Sequence, residues 1–583
     1  MHPFIFFLMM ASPSWMAVLA DAMWARRTRE YENKQEPDSK RFRSNAAELF
    51  LENTLSAERT ISLIDDAAAG GCKNLEDLTS KPEKLNGKRD TNKHRNLTRK
   101  LLKGCLWPPL YYAKIPVFDI KTQSEANVWT AFLLPHEVLS TLVKYNALNT
   151  NFTMSEQCRS HLESMRQKFS QPEAFPIGVW LDGVPCNWDR TLSMETIAYN
   201  FPGIGEKNKA IRIPFTAIEK RYVVKGKTFN AMLEIFSWSM KCLASSKYPN
   251  SRHDGSAWQK HDGIRSKNAG KDMNVSAFLC EVRGDWAMYK ETFQFPGWKD
   301  SGGCCWRCNV TPATMRDFGS QAQWREPANR YSHWGFLKMC MDSRRKITKL
   351  FESPGLTTDC FVIDWLHCAD LGVCADFIGN LFYMVLPYVQ GSNKDDRVKN
   401  LFIRIKQYYT DNKIESRLNA LKFTMIRKNN KSSPKLRAYA AEARALVPFC
   451  IEIANELLTD GSVLQETAKK AAFYLNECYK CLSKNQFDIR DLNRHCICFC
   501  QMYSALESFF DGEILWRVKP KMHLFQECCK DGSNPSTNWT YRDEDFGGYV
   551  ASMAKLKGGT KSVKNTATNL LLKFRAKHHI YLR

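Results

Sequence analysis

Residues 175–183 read FPIGVWLDG, a short apolar run that ends in an Asp-Gly pair at 182–183. An apolar run of this length, bounded by a turn signal, predicts a buried strand that presents a carboxylate at its end. Two further strands are predicted at 191–201 and 210–224, and an amphipathic helix follows at 227–246.

A second acid closes another predicted strand. The run VSAFLCEVRGD at 275–285 ends in Asp285 and leads into a helix, and a fifth strand, predicted at 357–367, runs into Asp364 and His367. Three strands, a helix, a strand, a helix and a strand is the element order of the ribonuclease-H-like fold, a mixed sheet flanked by helices. We therefore predict an α/β protein with this architecture.

The rest of the chain divides by composition. From 369 onward, helices with apolar residues at three-to-four spacing alternate with polar connectors, which predicts a large all-α insertion before the acidic segment at 542–548. The predicted division is an apolar N-terminal segment (1–24), a basic flexible arm (25–104), a helical N-terminal region (105–174), the ribonuclease-H-like core (175–368), the all-α insertion (369–515) and the end of the core with a basic C-terminal helix (516–583).

Charge narrows the classes of partner. The 583 residues include 84 Lys+Arg against 61 Asp+Glu, a formal net charge of +23. An excess of this size attracts polyanions, and nucleic acid is the commonest of them because each neutralised phosphate releases counterions. A basic soluble protein without a nucleic-acid partner is the alternative that charge alone leaves open.

Cysteine usage and the N-terminal segment bear on the compartment. The 21 cysteines are odd in number and several lie in apolar runs, where a free thiol packs as a small apolar group, so we expect a reducing compartment. Residues 3–20 resemble a signal-peptide core, but no Lys or Arg precedes them and Pro3 and Pro13 interrupt them. A signal, a misplaced start and a buried segment stay open, and a membrane is expected as a partner only if this segment is a signal.

The acids at the two strand ends point to a shared site. Taken alone, Asp182 before a glycine is most often a turn, and Asp285 before a helix is most often an N-cap. Together they lie where neighbouring strands end, which favours binding of a divalent cation such as Mg²⁺ or Mn²⁺ by carboxylate oxygens. A third acid is expected from a later helix; Glu544 in RDEDFGG is our choice, with Asp543 and Asp545 as close competitors.

Four blocks of sequence carry a family resemblance. They are GDWAMYKETFQFPGWKDSGGCCWRC (284–308), DWLHCADLGV (364–373), KPKMHLFQE (519–527) and YRDEDFGGYV (541–550). In these blocks the chain resembles the ribonuclease-H-like DDE/D transposases of eukaryotic cut-and-paste DNA transposons, especially the CACTA-like and Plavaka-like groups. The resemblance spans residues 110–575 and includes no DNA-binding module ahead of the core.

The resemblance implies a DNA transposase in which Asp182, Asp285 and Glu544 hold Mg²⁺ or Mn²⁺ for phosphodiester cleavage and strand transfer. It places His367 near these acids as a catalytic residue that contacts DNA or positions the scissile phosphate, with Asp364 orienting it. A histidine that only hydrogen-bonds within the core is the alternative. The resemblance also implies a nuclear homo-oligomer that binds transposon ends and target DNA.

The cysteines that follow Asp285 need a separate interpretation. Cys305 and Cys308 have the C-x₂-C spacing of half a zinc site, with Cys304 adjacent. His333 and Cys340 are the nearest candidates for the other half of a structural Zn²⁺ site. A buried thiol cluster without a metal is the alternative.

Three further residues lie in the block before Glu544. His523, Lys519 and Lys521 are candidates for a place near the catalytic site or for a contact with DNA. Charged helix faces are usually only solvated, which is the alternative for the two lysines.

Two other functions fit the same residues. A transposase-derived protein that has lost its activity would bind DNA or act as a scaffold. A ribonuclease-H-like nuclease would cleave DNA without strand transfer.

Overall fold

The apolar run before Asp182 forms the strand Phe175–Pro185. It is seen in a computed structural model that describes residues 38–79, 92–148, 154–187, 191–203, 212–300, 302–483, 486–510, 512–530, 532–537, 539–554 and 563–578. Residues 3–20, which resemble a signal-peptide core, lie outside the described part of the chain.

The strands of the described residues form two sheets. They are β1 (Tyr111–Asp119), β2 (Ser124–Phe132), β3 (Phe175–Pro185), β4 (Ser193–Asn200), β5 (Arg212–Glu219) and β6 (Ala277–Arg283). The larger sheet has the order β5-β4-β3-β6, and β1 and β2 form a separate hairpin. Because β3 pairs antiparallel with β4 but parallel with β6, the sheet is mixed, and the predicted α/β class is confirmed.

Helices make up most of the remaining described chain. They are α1 (Asp38–Leu51), α2 (Ala57–Ala69), α3 (Lys93–Leu101), α4 (Pro135–Lys144), α5 (Glu156–Lys168), α6 (Thr228–Ser245), α7 (Gly263–Asn268), α8 (Trp286–Phe293), α9 (His333–Asp342), α10 (Ala375–Val385), α11 (Lys394–Asp411), α12 (Phe423–Ile426), α13 (Ala440–Ala445), α14 (Val447–Leu457), α15 (Val463–Leu482), α16 (Ile489–Phe509), α17 (Pro520–Lys530), α18 (Tyr541–Ala554) and α19 (Val563–Lys577).

The fifth predicted strand, 357–367, is reduced to a single bridge. Phe361 pairs in parallel with Val282 of β6, and regular pairing does not continue. The carboxylate of Asp364 accepts a hydrogen bond from the backbone N–H of His367 at 3.1 Å, which turns the chain away from the sheet. The chain then winds into a π-helix, Leu366–Cys374.

The region 105–174 also differs from the prediction, because it begins with the β1–β2 hairpin rather than with helices. Alternate residues of β1, including Ala113, Ile115 and Val117, are buried, which is the two-residue period of a strand. The helices α4 and α5 follow the hairpin.

The stretch 25–104, predicted as a flexible arm, contains three helices in its described part. Helices α1 to α3 share a small apolar core that includes Phe50 and Leu97, each 1% exposed. The unit is attached to the C-terminal helix α19, where Lys577 Nζ lies 2.5 Å from Glu52 Oε1. Although this stretch is polar in overall composition, its helices have apolar faces that are buried against one another.

The predicted insertion, 369–515, is helical in its described residues, which form α10 to α16 and no strand. One stretch, 366–388, is long and apolar enough to cross a membrane by length and composition. However, 83% of its most apolar part is buried inside the protein, as expected for a core helix.

Helix α18 brings the chain back to the sheet, where buried charges fix it. Asp543, 1% exposed, lies 2.6 Å from Arg212 Nε of β5 and 2.9 Å from Arg283 Nε of β6. The helix packs closely on β3, since a Cβ on Gly547 would lie 2.8 Å from Trp180 Cη2. A residue with any side chain at 547 would push α18 away from the strand.

The two glycines of α18 provide a test of this packing. We expect Gly547→Ala to lower the free energy of unfolding by about 1–3 kcal/mol, because the added methyl group overlaps β3. Gly548 has no neighbouring heavy atom within 4 Å of an added Cβ, so Gly548→Ala should be neutral or stabilise by up to about 1 kcal/mol through helix propensity. Urea unfolding of both variants measures the difference, and equal effects would contradict the close packing.

Candidate metal centre

Asp182 and Asp285 lie just beyond the point where the neighbouring strands β3 and β6 stop pairing, although β3 itself continues beside β4 to Pro185. Trp180 of β3 faces Arg283 of β6 at the last paired position of these parallel strands. Asp182 and Asp285 each come two residues later. A Cβ on Gly284 would lie 2.9 Å from a backbone carbonyl of β3, so the glycine permits the close approach of the two strand ends.

Asp182, His367 and Glu544 meet at this edge of the sheet. Each offers a ligand atom, and these atoms lie within 4.8 Å of one another. His367 Nε2 is 3.8 Å from Glu544 Oε1, a buried oxygen that accepts no hydrogen bond from the described residues. Burying such an oxygen is costly unless a proton or a cation neutralises it. The oxygen donors of this cluster therefore fit Mg²⁺ or Mn²⁺.

Burial and repulsion raise the pKa values of both carboxyl groups. The pKa of Asp182 is raised well above its ordinary value, mainly by burial and then by the charges of Glu544 and Asp285. The pKa of Glu544 is also raised, again mainly by burial. In the metal-free chain the two carboxyl groups therefore hold their protons to a higher pH than usual, and a divalent cation has to displace those protons.

A chain of hydrogen bonds orients His367. Its Nδ1 lies 2.6 Å from Asp364 Oδ2, and Asp364 in turn accepts hydrogen bonds from the Thr540 amide at 2.9 Å and the Thr540 hydroxyl at 2.8 Å. Burial lowers the pKa of His367, but the hydrogen bond to Asp364 and the charges of Asp364, Asp285 and Asp182 outweigh it and raise the pKa. Asp364 thus holds the ring with Nε2 facing the acids.

Asp285 lies beside this cluster rather than within it. Its Oδ1 accepts a hydrogen bond from the Met288 amide at 2.6 Å and caps α8, so the N-cap that its position predicts is present. Its charge still raises the pKa values of Asp182 and His367, as expected for a close neighbour. A carboxylate has two oxygens, so the cap leaves one for a cation.

Among the three neighbouring acids of RDEDFGG, only Glu544 joins the cluster. Asp543 is held by Arg212 and Arg283, whose charges keep its pKa low although burial acts in the opposite direction. Asp545 is exposed. Successive helical residues point about 100° apart, so fixing Asp543 on the sheet turns Glu544 toward the strand ends.

A second candidate metal centre contains the predicted C-x₂-C pair. Cys305, Cys308, His523 and Glu527 are buried and offer four ligand atoms within 4.8 Å of one another. His523 Nε2 lies 3.3 Å from Cys308 Sγ and 3.5 Å from Glu527 Oε1. Arg330 donates one hydrogen bond of 3.0 Å to each oxygen of Glu527, which leaves a second lone pair on each. This donor set fits a tetrahedral Zn²⁺.

The charges of the second cluster suit a metal ion as well. Burial raises the pKa of the Cys305 thiol, but hydrogen bonds with Cys308 and His523 outweigh it and lower the pKa to about 5. Burial lowers the pKa of His523, but Cys305 and Glu527 raise it to about 9. The metal-free cluster therefore pairs a thiolate with an imidazolium, and a bound cation would replace the imidazolium proton.

The other predicted zinc residues do not enter this cluster. Cys304 is buried next to Cys305, and its backbone amide donates to a carbonyl oxygen at 2.9 Å. His333 and Cys340 lie on α9, outside the group of four.

The second half of the cluster comes from α17, 215 residues after Cys308. Glu527 was not predicted as a ligand from the sequence, and His523 was predicted only as a residue near the catalytic acids or in contact with DNA. The available signal was their i, i+4 spacing, which places both on one face of a helix.

The two predicted lysines do not join the acids; they contact the backbone of His367 and the side chain of Asp376. Lys521 Nζ donates to the His367 carbonyl oxygen at 2.7 Å. Lys519 Nζ lies 2.7 Å from Asp376 Oδ1.

Comparisons with family models and with curated proteins found no relative of this chain. No protein-family model matches the chain, and the curated proteins contain no significant match. The function is therefore inferred from the site itself.

Replacing Asp182 by Asn tests the acid cluster. The pKa of the Asp182 carboxyl is higher in the folded chain than in the unfolded chain. Its favourable contribution to stability is therefore lost as the pH rises from the ordinary pKa to the raised pKa. Metal-free Asp182→Asn should therefore unfold about 1–3 °C above the wild type at pH 8, and the difference should vanish toward pH 4. Mn²⁺ should raise the unfolding temperature of the wild type and of the exposed control Asp545→Asn. A full Mn²⁺ effect in Asp182→Asn would contradict the site.

Metal analysis tests the second cluster. We expect the purified wild type to contain about one zinc per chain and Cys305→Ser or Cys308→Ser to lose it, because two of the four donors are thiolates. Cys304→Ser is the matched control, since it removes a buried neighbouring thiol outside the cluster. Elemental analysis by mass spectrometry gives the ratio, and equal zinc content in all variants would exclude these ligands.

Proposed function

We propose that this chain is a DDE/D-type DNA transposase that catalyses metal-dependent phosphodiester cleavage and strand transfer. The observation that carries the proposal is the meeting of Asp182, Glu544 and His367 beside Asp285 where the pairing of β3 with β6 ends. Carboxylates from distant parts of the chain converge there, and hard divalent cations such as Mg²⁺ take carboxylate oxygens as ligands.

The fold supports a ribonuclease-H-like catalytic core. Three antiparallel strands, β3 to β5, are joined by the parallel strand β6, and helices follow β5 and β6. Helix α18, which carries Glu544, packs on β3 after a long helical insertion. This is the arrangement that the sequence resemblance implies.

The chemistry needs no covalent intermediate on the protein. Bound Mg²⁺ or Mn²⁺, held by Asp182, Asp285 and Glu544, would neutralise the scissile phosphate and activate the nucleophile. Water first attacks phosphorus and the P–O3′ bond breaks, which frees a 3′-hydroxyl. That hydroxyl then attacks a phosphate of the target strand and displaces its 3′ oxygen. His367, with its raised pKa, would donate a hydrogen bond from Nε2 to a phosphate oxygen.

Charge on the surface supports DNA as the partner. Helix α3 exposes Arg95 and Arg99, and Lys103 is exposed two residues after the end of the helix. These cations form no ion pair with an acid of the described residues, so they are free to contact phosphates. A substrate of two transposon ends implies a homo-oligomer, and chromosomal DNA as the target implies a nuclear protein.

Cleavage and joining assays test the proposal. A pool of short duplexes of random sequence with free 3′-hydroxyl ends is incubated with a supercoiled plasmid and Mg²⁺ or Mn²⁺. We expect the wild type and Asp545→Asn to join duplex ends to the plasmid, and Asp182→Asn and Glu544→Gln to lose at least about 100-fold in rate. EDTA should abolish joining in every case.

The outcomes separate the alternatives. Cleavage without joining of the free 3′ ends would identify a nuclease rather than a transposase. A wild type no more active than Asp182→Asn, yet still bound to DNA, would identify an inactive DNA-binding or scaffold protein.

A further inference from the structure

Three lysines converge on the π-helix that contains His367 and on the start of α10. Lys521 Nζ donates to the His367 carbonyl oxygen at 2.7 Å, and Lys435 Nζ donates to the Leu371 carbonyl oxygen at 2.7 Å. Lys519 Nζ reaches Asp376, at the start of α10, at 2.7 Å. Lys435 belongs to the helical insertion, whereas the other two lie at the start of α17. Parts of the chain that are distant in sequence therefore supply one cluster.

The charges in this cluster do not balance. Asp376 lies 2.7 Å from Lys519 and 3.8 Å from Lys435, so a single carboxylate pairs with two of the three ammonium groups, and Lys521 instead bonds to a backbone carbonyl. Burial lowers the pKa of Lys435, and the charges of Lys521 and Lys519 lower it further against the attraction of Asp376. The side chains of Lys435 and Lys519 remain 39% and 38% exposed. A net positive charge thus faces solvent next to the acid site.

Two glycines leave room for Lys521 and Lys435 to pack closely against the helices that they contact. A Cβ on Gly372 would lie 2.9 Å from Lys521 Cδ, so the glycine lets this side chain lie across the π-helix. A Cβ on Gly379 would lie 2.4 Å from Lys435 Cα, so the loop that carries Lys435 rests directly on α10. Each ammonium group has three N–H donors, and the backbone carbonyls fix the direction of those that remain. The donors are thus oriented before a ligand arrives.

We propose that Lys435, Lys519 and Lys521 form a phosphate clamp that binds the DNA backbone next to the scissile phosphate. The proposal rests on the transposase function proposed above and deepens it, since it gives the helical insertion a direct part in substrate binding. The clamp is close to the acids because Lys521 is bonded to the carbonyl of His367, whose ring lies 3.8 Å from Glu544. Lysine ammonium groups bind phosphate oxygens as point charges without reading sequence.

DNA binding measured over a range of salt concentrations tests the clamp without catalysis. The Asp182→Asn protein in EDTA is titrated with a fluorescent 30-base-pair duplex between 50 and 300 mM salt. Each phosphate contact contributes about 0.9 to the slope of log affinity against log salt. Replacing all three lysines by Gln should therefore reduce the slope by about 2–3, and Lys435→Gln or Lys519→Gln alone by about 1.

The controls match charge and location. Lys431→Gln removes an exposed lysine from the same loop as Lys435 and should leave the slope within about 0.3 of the parent protein, because Lys431 lies outside the cluster. Lys435→Arg keeps the charge and should also keep the slope. If the triple variant does not fold, as judged by thermal unfolding, the single variants carry the test.

The outcomes distinguish the clamp from the enzyme proposal. Slopes of the cluster variants equal to that of Lys431→Gln would overturn the clamp, even if the wild type joins DNA. A reduced slope in a protein that cleaves nothing would establish the phosphate site while the transposase proposal fails.

Discussion

One buried carboxylate fixes helix α18, which carries Glu544, on the sheet. Asp543 is bonded to Arg212 of β5 and Arg283 of β6, and all three side chains are largely removed from solvent. Removing one partner of such a group costs about 3–5 kcal/mol, because it leaves a buried charge without compensation. The position of α18 on the sheet therefore depends on this contact. The acid that competes with Glu544 as a predicted metal ligand is the residue that turns Glu544 toward the site.

Helix α17 connects features that lie far apart in the sequence. Its first turn bonds through Lys521 to the backbone of His367, and its next turns carry His523 and Glu527 to the buried cysteines. A metal ion in the cysteine cluster would fix this helix, and α18 with Glu544 follows it directly. The two candidate metal centres are thus linked through α17, which carries ligands of one and contacts the backbone of His367 in the other.

Local sequence patterns predicted secondary structure well where an element is buried in the core. They predicted it poorly where a single hydrogen bond sets the direction of the backbone. The strands before Asp182 and Asp285 are continuous apolar runs, which keep their meaning in any context. The predicted strand at 357–367 also contains an apolar run. However, the Asp364 carboxylate accepts a hydrogen bond from the backbone N–H of His367, and the chain continues as a π-helix. The β1–β2 hairpin lies in a region predicted as helical, because the spacing of its apolar residues fits both the helical period and the two-residue period of a strand.

By itself, the sequence determined the α/β class, the apolar strands that lead into Asp182 and Asp285, and the cysteine pair, because each of these depends on residues within a few positions of one another. Only the tertiary structure decided that Glu544 rather than its neighbours faces the strand ends, and that α17 rather than α9 completes the cysteine cluster. These choices depend on which way a helix is rotated when it packs. Rotation is set by contacts such as that between Asp543 and the arginines of the sheet, which join positions hundreds of residues apart and leave no local pattern.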